Sequence, residues 1–340
     1  MEKLLTIIVP TYNMEKYLTH GLDSFLIKNY FDLLEVLVVI DGGVDRSSEI
    51  AHCYQERYPD VFKVIDKENG NYGSCINRGL KEATGKYVKV LDADDTFNIN
   101  AFEQFIKYLK NVDADLILNQ LDHVDEEGKL LKETQGFHLK DNTMLTFDDL
   151  EKKDWLLSMA CTTYKTSMLK KINYKQTEGI SYTDEQWTFT PINAVKTVFY
   201  IKQPVYRYLI GREGQTVARE TRLNRVGQVI QLLYDMIEAY SELNVSSKRI
   251  QEYLDYKLYS LIEFVYSTFL LIKRDMDQNP LIEFDTFLKD KNNNLFKLTN
   301  GCVLSPKIKF KYIKYWRTHS RKAVPSYLLL LNSIINKLHR

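Results

Sequence analysis

Short apolar, β-branched runs alternate through the first 120 residues with segments whose apolar positions recur at three- and four-residue spacing. Leu4 to Val9, closed by Pro10, predicts a strand. Asn13 is then placed to cap a helix carrying Tyr17, Leu18, Leu22, Phe25 and Leu26 on one side. The alternation continues with a strand over Leu34 to Ile40, a helix capped by Asp45 and reaching about Tyr58, a strand over Val61 to Ile65 and a helix over Ser74 to Ala83. Tyr87 to Leu91 supplies a fourth strand, a helix from about Asn100 to Lys110 follows, and Asp115 to Asn119 supplies a fifth strand. Strands this apolar are buried on both faces, so the pattern predicts an α/β fold with a mostly parallel central sheet flanked by helices. Leu121 to Gly136 reads as a hairpin or excursion, and the chain then mixes helices with short strands to about Leu209. Beyond Arg222, Val226, Ile230, Leu233 and Ile237 have the spacing of an amphipathic helix. The expected division is an α/β domain over 1–221 and a mainly helical C-terminal appendage over 222–340.

In open sheets of this kind ligands sit outside the carboxyl ends of the strands. Each predicted strand ends there in a polar cluster: Thr11-Tyr12-Asn13, Asp41-Gly42-Gly43, Asp66 to Gly73, and Asp92-Ala93-Asp94-Asp95. Three carboxylates within four residues repel one another and raise one another's pKa unless a cation or a helix N-terminus compensates. Mg2+ or Mn2+ would do so, since hard divalent ions take one or two carboxylates and let substrate phosphates complete the shell. An isolated D-x-D-D could equally cap the following helix. The loop from Glu68 to Asn77, with Gly70, Tyr72 and Gly73, is amide-rich and allows close backbone approach to a phosphate.

Charge changes the picture only at one end. The whole chain carries 46 basic and 45 acidic residues. Residues 301–340, however, hold nine Lys or Arg and no Asp or Glu, leaving about −8 on the remainder. Lys307 to Arg317 alternates basic with apolar or aromatic residues and is followed by Tyr327 to Leu331 and Ile334-Ile335, a pattern suited either to an anionic membrane surface or to a solvated basic face over a helical core. The acidic remainder and the lack of a recognisable module argue against nucleic acid. Four scattered cysteines, no signal-peptide pattern and no membrane-spanning run predict a cytoplasmic protein, soluble or peripheral on the inner face of the cell membrane.

Four motifs in order, Ile8-Val9-Pro10-Thr11-Tyr12-Asn13, Val38-Val39-Ile40-Asp41-Gly42-Gly43, Asn77-Arg78-Gly79, and Thr84-Gly85-Lys86-Tyr87-Val88 leading into Leu91-Asp92-Ala93-Asp94-Asp95, resemble the family 2 glycosyltransferases over roughly residues 1–210. The resemblance implies a GT-A fold and inverting transfer of a sugar, expectedly a UDP-linked hexose, to a saccharide hydroxyl. If the basic end touches membrane, a lipid-linked oligosaccharide in surface polysaccharide synthesis is the expected acceptor, with a soluble glycan or protein as the alternative. It implies a nucleotide-sugar site of Pro10, Thr11, Tyr12, Asn13, Asp41, Asn71, Gly73, Asn77, Asp92, Ala93 and Asp94, with Asp41 toward the base and Asp94, with Asp92, on a Mn2+ or Mg2+ ion. Asp184, in Ser181-Tyr182-Thr183-Asp184-Glu185-Gln186-Trp187, resembles the family's Glu-Asp motif and is the implied catalytic base; Glu185 is the alternative, and a helix cap is the structural reading of Asp184. Ile40, Ile76 and Thr183 depart from the family pattern, and Ile76 removes a customary arginine. A dinucleotide oxidoreductase would need G-x-G-x-x-G after the first strand, which is missing. A non-catalytic sugar-nucleotide binder remains the alternative, while a processive membrane polymerase would need transmembrane helices and a Q-x-x-R-W segment.

Overall fold

The computed structural model describes residues 2–132, 134, 136–212 and 219–337; Met1 and Arg340, at the two ends considered above, lie outside the described residues, as do the side chains of Ile335 and Lys337. The chain divides into two compact units, Met1–Gln215 with Val245–Ile250, and Thr216–Asn244 with Gln251–Arg340.

The first unit is built on a sheet of nine strands among the described residues: β1 (Leu5–Thr11), β2 (Leu34–Asp41), β3 (Phe62–Lys67), β4 (Tyr87–Val90), β5 (Thr96–Phe97), β6 (Leu116–Val124), β7 (Thr143–Leu145), β8 (Thr162–Lys165) and β9 (Val198–Leu209). Their order is β3-β2-β1-β4-β8-β6-β9-β5, with β7 also paired to β9. The half read from sequence, β3 to β4, is parallel throughout. The other half is mixed: β8 runs antiparallel to β4 and β6, β6 and β9 are parallel, and β5 and β7 are antiparallel to β9. Strand β1 is buried at every position because α-helices cover both faces of a parallel sheet. The helices are α1 (Leu18–Asp23), α2 (Ser47–Arg57), α3 (Asn71–Glu82), α4 (Ile99–Leu109), α5 (Thr166–Lys171) and α6 (Asp184–Trp187).

Three expectations change, the first being that Arg46 and not Asp45 is the N-cap residue of α2, with no side-chain cap bond. Helix α1 is short, and Asn13 does not cap it: Tyr17 is the N-cap residue, with no side-chain cap bond. Asn13 instead adopts φ 53° and its Oδ1 accepts from the Val44 amide at 2.9 Å, joining the β1 loop to the β2 loop. Helix α4, in turn, is capped by Asn98, whose Oδ1 accepts from Ala101 N at 3.2 Å. Neither Asp94 nor Asp95 serves as its cap. The acidic cluster is therefore left for another purpose.

The second unit is helical: α7 (Arg219–Asn224), α8 (Val226–Glu242), most of α9 (Lys248–Ser267), a π-helical segment over Thr268–Ile272, α10 (Asn279–Lys291), α11 (Asn293–Thr299), α12 (Tyr312–Thr318) and α13 (Ser326–Lys337). Its core takes Leu233, Met236, Leu258, Ile262, Phe284 and Trp316. Within it, Arg317 meets Asp285 at 2.7 Å, Tyr266 Oη at 2.8 Å and Phe296 O at 2.7 Å. Tyr312, Ile313 and Trp316 are buried in the same unit, so the aromatic residues Tyr312 and Trp316 of the basic segment are packed inward rather than offered to a surface.

Candidate active site

The site is assembled at the carboxyl end of the parallel strands, where β1 lies between β2 and β4 and their exits diverge. Strand β2 delivers Asp41, which is almost wholly buried. Its Oδ1 accepts from Lys67 Nζ at 2.5 Å and from the Gly70 amide at 2.9 Å, and its Oδ2 from Asn69 Nδ2 at 3.1 Å. Lys67 also donates to Ser74 Oγ at 2.8 Å, at the start of α3. One carboxylate thus gathers the ends of β2, β3 and α3. The loop after it turns through Gly42 and Gly43 at φ 73° and 108°, and a Cβ on Gly43 would lie 2.6 Å from Asn13 Oδ1. Pro10 and Thr11 are buried beside this loop, while the Tyr12 ring is half exposed.

Strand β4 delivers the acidic cluster, and its three carboxylates have different surroundings. Asp95 is buried, accepts from Tyr206 Oη at 2.6 Å and Leu209 N at 2.7 Å, and so fastens the turn to β9. Burial, and then the charges of Asp94 and Asp92, push its pKa up. Asp92 accepts from Tyr72 Oη at 2.6 Å; burial and the charge of Asp94 push its pKa up to about 7, and the charge of Asp184 contributes in the same direction. Asp94 pairs with Arg212 Nε at 2.5 Å, and the Arg212 guanidinium lies 5.5 Å from the centre of the Tyr17 ring. Beneath them Gly21 lets α1 approach closely, since a Cβ there would lie 3.0 Å from Asp95 O.

The third component is the segment 176–187. Asn77 on α3 donates to Gln176 O and Glu178 Oε1, both at 2.9 Å, and accepts from Gln176 N at 2.8 Å. Gly73 faces the same segment at a distance no side chain tolerates, a Cβ being 2.0 Å from Thr177 O. Gln186 braces the segment internally through Thr177 N and Thr177 Oγ1 at 2.8 and 2.9 Å. Asn71, at φ 64°, accepts from Ser181 Oγ at 3.4 Å. Asp184 is the first residue of α6 and is exposed, with buried Thr183 rather than Asp184 as the N-cap. Its charge is near enough to raise the pKa of Asp92, Tyr72 and Tyr208. Glu185, beside it, is half buried.

The charges of Asp92, Asp94 and Asp184 all act on Tyr208, while Asn71 and Gly73 meet the segment that carries Asp184 through Ser181 and Thr177. Thr11, Tyr12, Asn13 and Asp41 lie at the carboxyl ends of the neighbouring strands β1 and β2. Lys67, Asn69 and Tyr72 lie within the polar cluster marked from sequence but had no role assigned there, and nothing in the sequence links Tyr72 to Asp92; Tyr206 and Arg212 were not read from sequence.

Whether a divalent cation fits is decided by the donor set. Asp92 and Asp94 offer hard carboxylate oxygens, and among the described residues no group of three or more His, Cys, Asp or Glu converges on one point. Two carboxylates are the protein share expected where phosphates and water complete an octahedral shell. The pKa of Asp92 is raised by burial first and by the charge of Asp94 second, and a bound cation would offset both. The residues fit Mg2+ or Mn2+ bound together with a diphosphate.

Residues 6–173 match the family described as Glycosyl transferase family 2. The chain is 30% identical over 220 residues to the uncharacterized glycosyltransferase MG025 of Mycoplasma genitalium, covering 63% of this chain and 70% of that protein. It is 23% identical over 288 residues to the minor teichoic acid biosynthesis protein GgaB of Bacillus subtilis, covering 84% of this chain but only 32% of GgaB. The chain therefore spans about a third of that larger relative. Among solved structures, residues 1–349 of S. aureus TarS in complex with UDP-GlcNAc superpose with a TM-score of 0.69 at 20% identity, over 94% of this chain and 88% of that one.

Proposed function

Since the chain belongs to glycosyltransferase family 2 and has the GT-A fold, we propose that it moves a hexose-type sugar from a UDP-sugar to a saccharide hydroxyl with inversion. The observation that carries this reading is the placement of Asp184 within electrostatic reach of Asp92 beside Asp94: a proton acceptor facing a carboxylate pair suited to a diphosphate. Asp41, oriented by Lys67, Asn69 and the Gly70 amide, presents a carboxylate suited to an imide N–H such as that of uracil. The half-exposed Tyr12 ring supplies a stacking face beside it, and Pro10, Thr11 and Asn13 shape the loop that holds the nucleoside. Asn71 and Gly73 bring the start of α3 toward the diphosphate, and Asn77 keeps the segment bearing Asp184 in register with it.

In the transfer, Asp184 takes the acceptor hydroxyl's proton as that oxygen attacks the anomeric carbon, and the diphosphate leaves from the opposite side. Mg2+ or Mn2+ held by Asp92 and Asp94 would neutralise charge on the departing diphosphate. With isoleucine at position 76, where the family resemblance implies an arginine, a cation held by Asp92 and Asp94 would supply a larger share of that neutralisation. The relative named for minor teichoic acid biosynthesis supports a role in making a surface polymer, and the lipid-linked acceptor is part of the proposal. Four unpaired cysteines agree with the cytoplasm as compartment, and the basic C-terminal end with contact to an anionic membrane surface.

The deciding experiment is a thermal-shift panel of UDP-, GDP- and dTDP-sugars with manganese, followed by measurement of UDP release. A ligand at about 100 times its Kd stabilises by about 2.7 kcal/mol. We expect the UDP-sugars to give the largest shift and EDTA to abolish it. A chain that binds donor but never releases UDP, with or without acceptor, would be a sugar-nucleotide binder and not an enzyme.

A further inference from the structure

The helical unit carries one apolar surface that its own core does not use. On α13, Tyr327, Leu330, Leu331 and Ile334 are 69, 64, 45 and 47% exposed. Their spacing of three, four and seven residues places them on one side of the helix. Leu328, Leu329 and Asn332 on the remaining surface are partly buried, so the helix is seated and the stripe faces outward. Its start is fixed to the unit: Arg274 donates to Val324 O at 2.7 Å and to Ser326 Oγ at 3.3 Å. Exposed large apolar residues elsewhere, such as Tyr12, Val44 and Ile99, do not form such a row on one helix.

The charge of the chain segment that leads into α13 selects the occupant of this stripe. Residues 301–340 hold nine basic and no acidic side chains, and Lys309, Lys311, Lys314, Arg321 and Lys322 are exposed. A second copy docked through α13 would bring two such sets of cations together, which opposes association. An anionic lipid surface offers the opposite: headgroup charge for the lysines and an acyl boundary for the leucines. Twelve residues make a helix of about 18 Å, far short of the roughly 30 Å hydrocarbon core, so the geometry is that of a helix lying in the interface.

We infer that α13 is an in-plane anchor whose Tyr327–Leu330–Leu331–Ile334 stripe enters the interface of an anionic bilayer, with the exposed basic residues of the preceding segment on the headgroups. The contact surface is therefore α13, and not the buried aromatic residues of α12. The inference does not depend on the donor, the acceptor or the reaction.

The test uses the full chain and vesicles of phosphatidylcholine, with or without roughly 30% phosphatidylglycerol. The native protein is expected to co-sediment with the anionic vesicles at low salt, at least about tenfold more than with neutral ones, and to lose that preference at high salt. The exposed-site double variant Leu330→Glu with Ile334→Glu is expected to lose about tenfold or more of the partitioning while keeping its circular dichroism and its UDP affinity. A Leu330→Trp variant, which keeps the surface apolar, should add an emission component over the native chain that shifts to the blue on anionic vesicles. Equal partitioning of native and double-Glu chains, or an added component in the Leu330→Trp variant that vesicles leave unmoved, overturns the proposal. Sedimentation velocity showing a native dimer that the double-Glu variant loses also overturns it, assigning the stripe to a second copy.

Discussion

At the residue scale, Asp184 and Asp92 face the same site with different protonation demands. Asp184 is exposed at the start of α6, where it can accept a proton from a hydroxyl presented to the site. Asp184→Asn keeps the shape and removes the proposed base. Turnover should fall about 10²- to 10⁴-fold, with donor affinity by calorimetry little changed. Near-normal turnover would transfer the role to Glu185. Asp92, by contrast, has its pKa held up to about 7 by burial and by Asp94, so a proton must leave it before a cation binds. The sign follows directly: metal-dependent donor affinity is full above about pH 7 and falls as pH drops below it. The Tyr72 hydroxyl lowers the Asp92 pKa by its hydrogen bond, so Tyr72→Phe should move the midpoint of that curve to higher pH. A midpoint that stays in place would detach Tyr72 from the ionisation of Asp92.

At the element scale, the site depends on how closely α3 meets the segment carrying Asp184. Gly73 has no room for a Cβ beside Thr177 O, and one turn further along α3 Asn77 bonds to both Gln176 and Glu178. Gly73→Ala must push the segment away, at a cost of about 1–3 kcal/mol, typical of overpacking. Chemical denaturation should report that loss, and turnover should fall with it because Asp184 moves. This closeness was not legible in the sequence, where Gly73 reads equally as a turn glycine. The parallel strands were legible because β2, for example, is a nearly continuous apolar run that only a doubly covered sheet accommodates. Strands β5, β7 and β8 are two to four residues long, and β8 reads Thr-Thr-Tyr-Lys; their pairing is fixed by tertiary neighbours and not by local pattern. Strand β9 is long, but its partner β6 shifts register around Gln120, which breaks the alternation a reader would follow. The acidic cluster was legible as three neighbours in sequence. Its division of labour was not, because the partners that distinguish Asp92, Asp94 and Asp95, namely Tyr72, Arg212 and Tyr206, stand 20, 118 and 111 positions away.

At the scale of the whole molecule, the two units rest on different physics and should respond separately to mutation. The first is built on a largely apolar sheet, and every residue proposed for donor binding lies in that unit. The second encloses an ion pair: Arg317 and Asp285 have side chains 8 and 10% exposed, with Tyr266 bonded to both. Replacing such a pair on both sides is often harmless, but removing one partner strands the other charge in a medium that solvates it poorly. Arg317→Met leaves the Asp285 carboxylate buried without its cation and should cost about 3–5 kcal/mol. Calorimetry should show a lowered melting temperature. UDP affinity measured well below that transition should stay within about twofold, as expected for sites that share no partners. A collapse of donor affinity in the still-folded variant would mean that the helical unit holds the transferase site in shape, and the donor site could not then be treated as the property of the first unit alone.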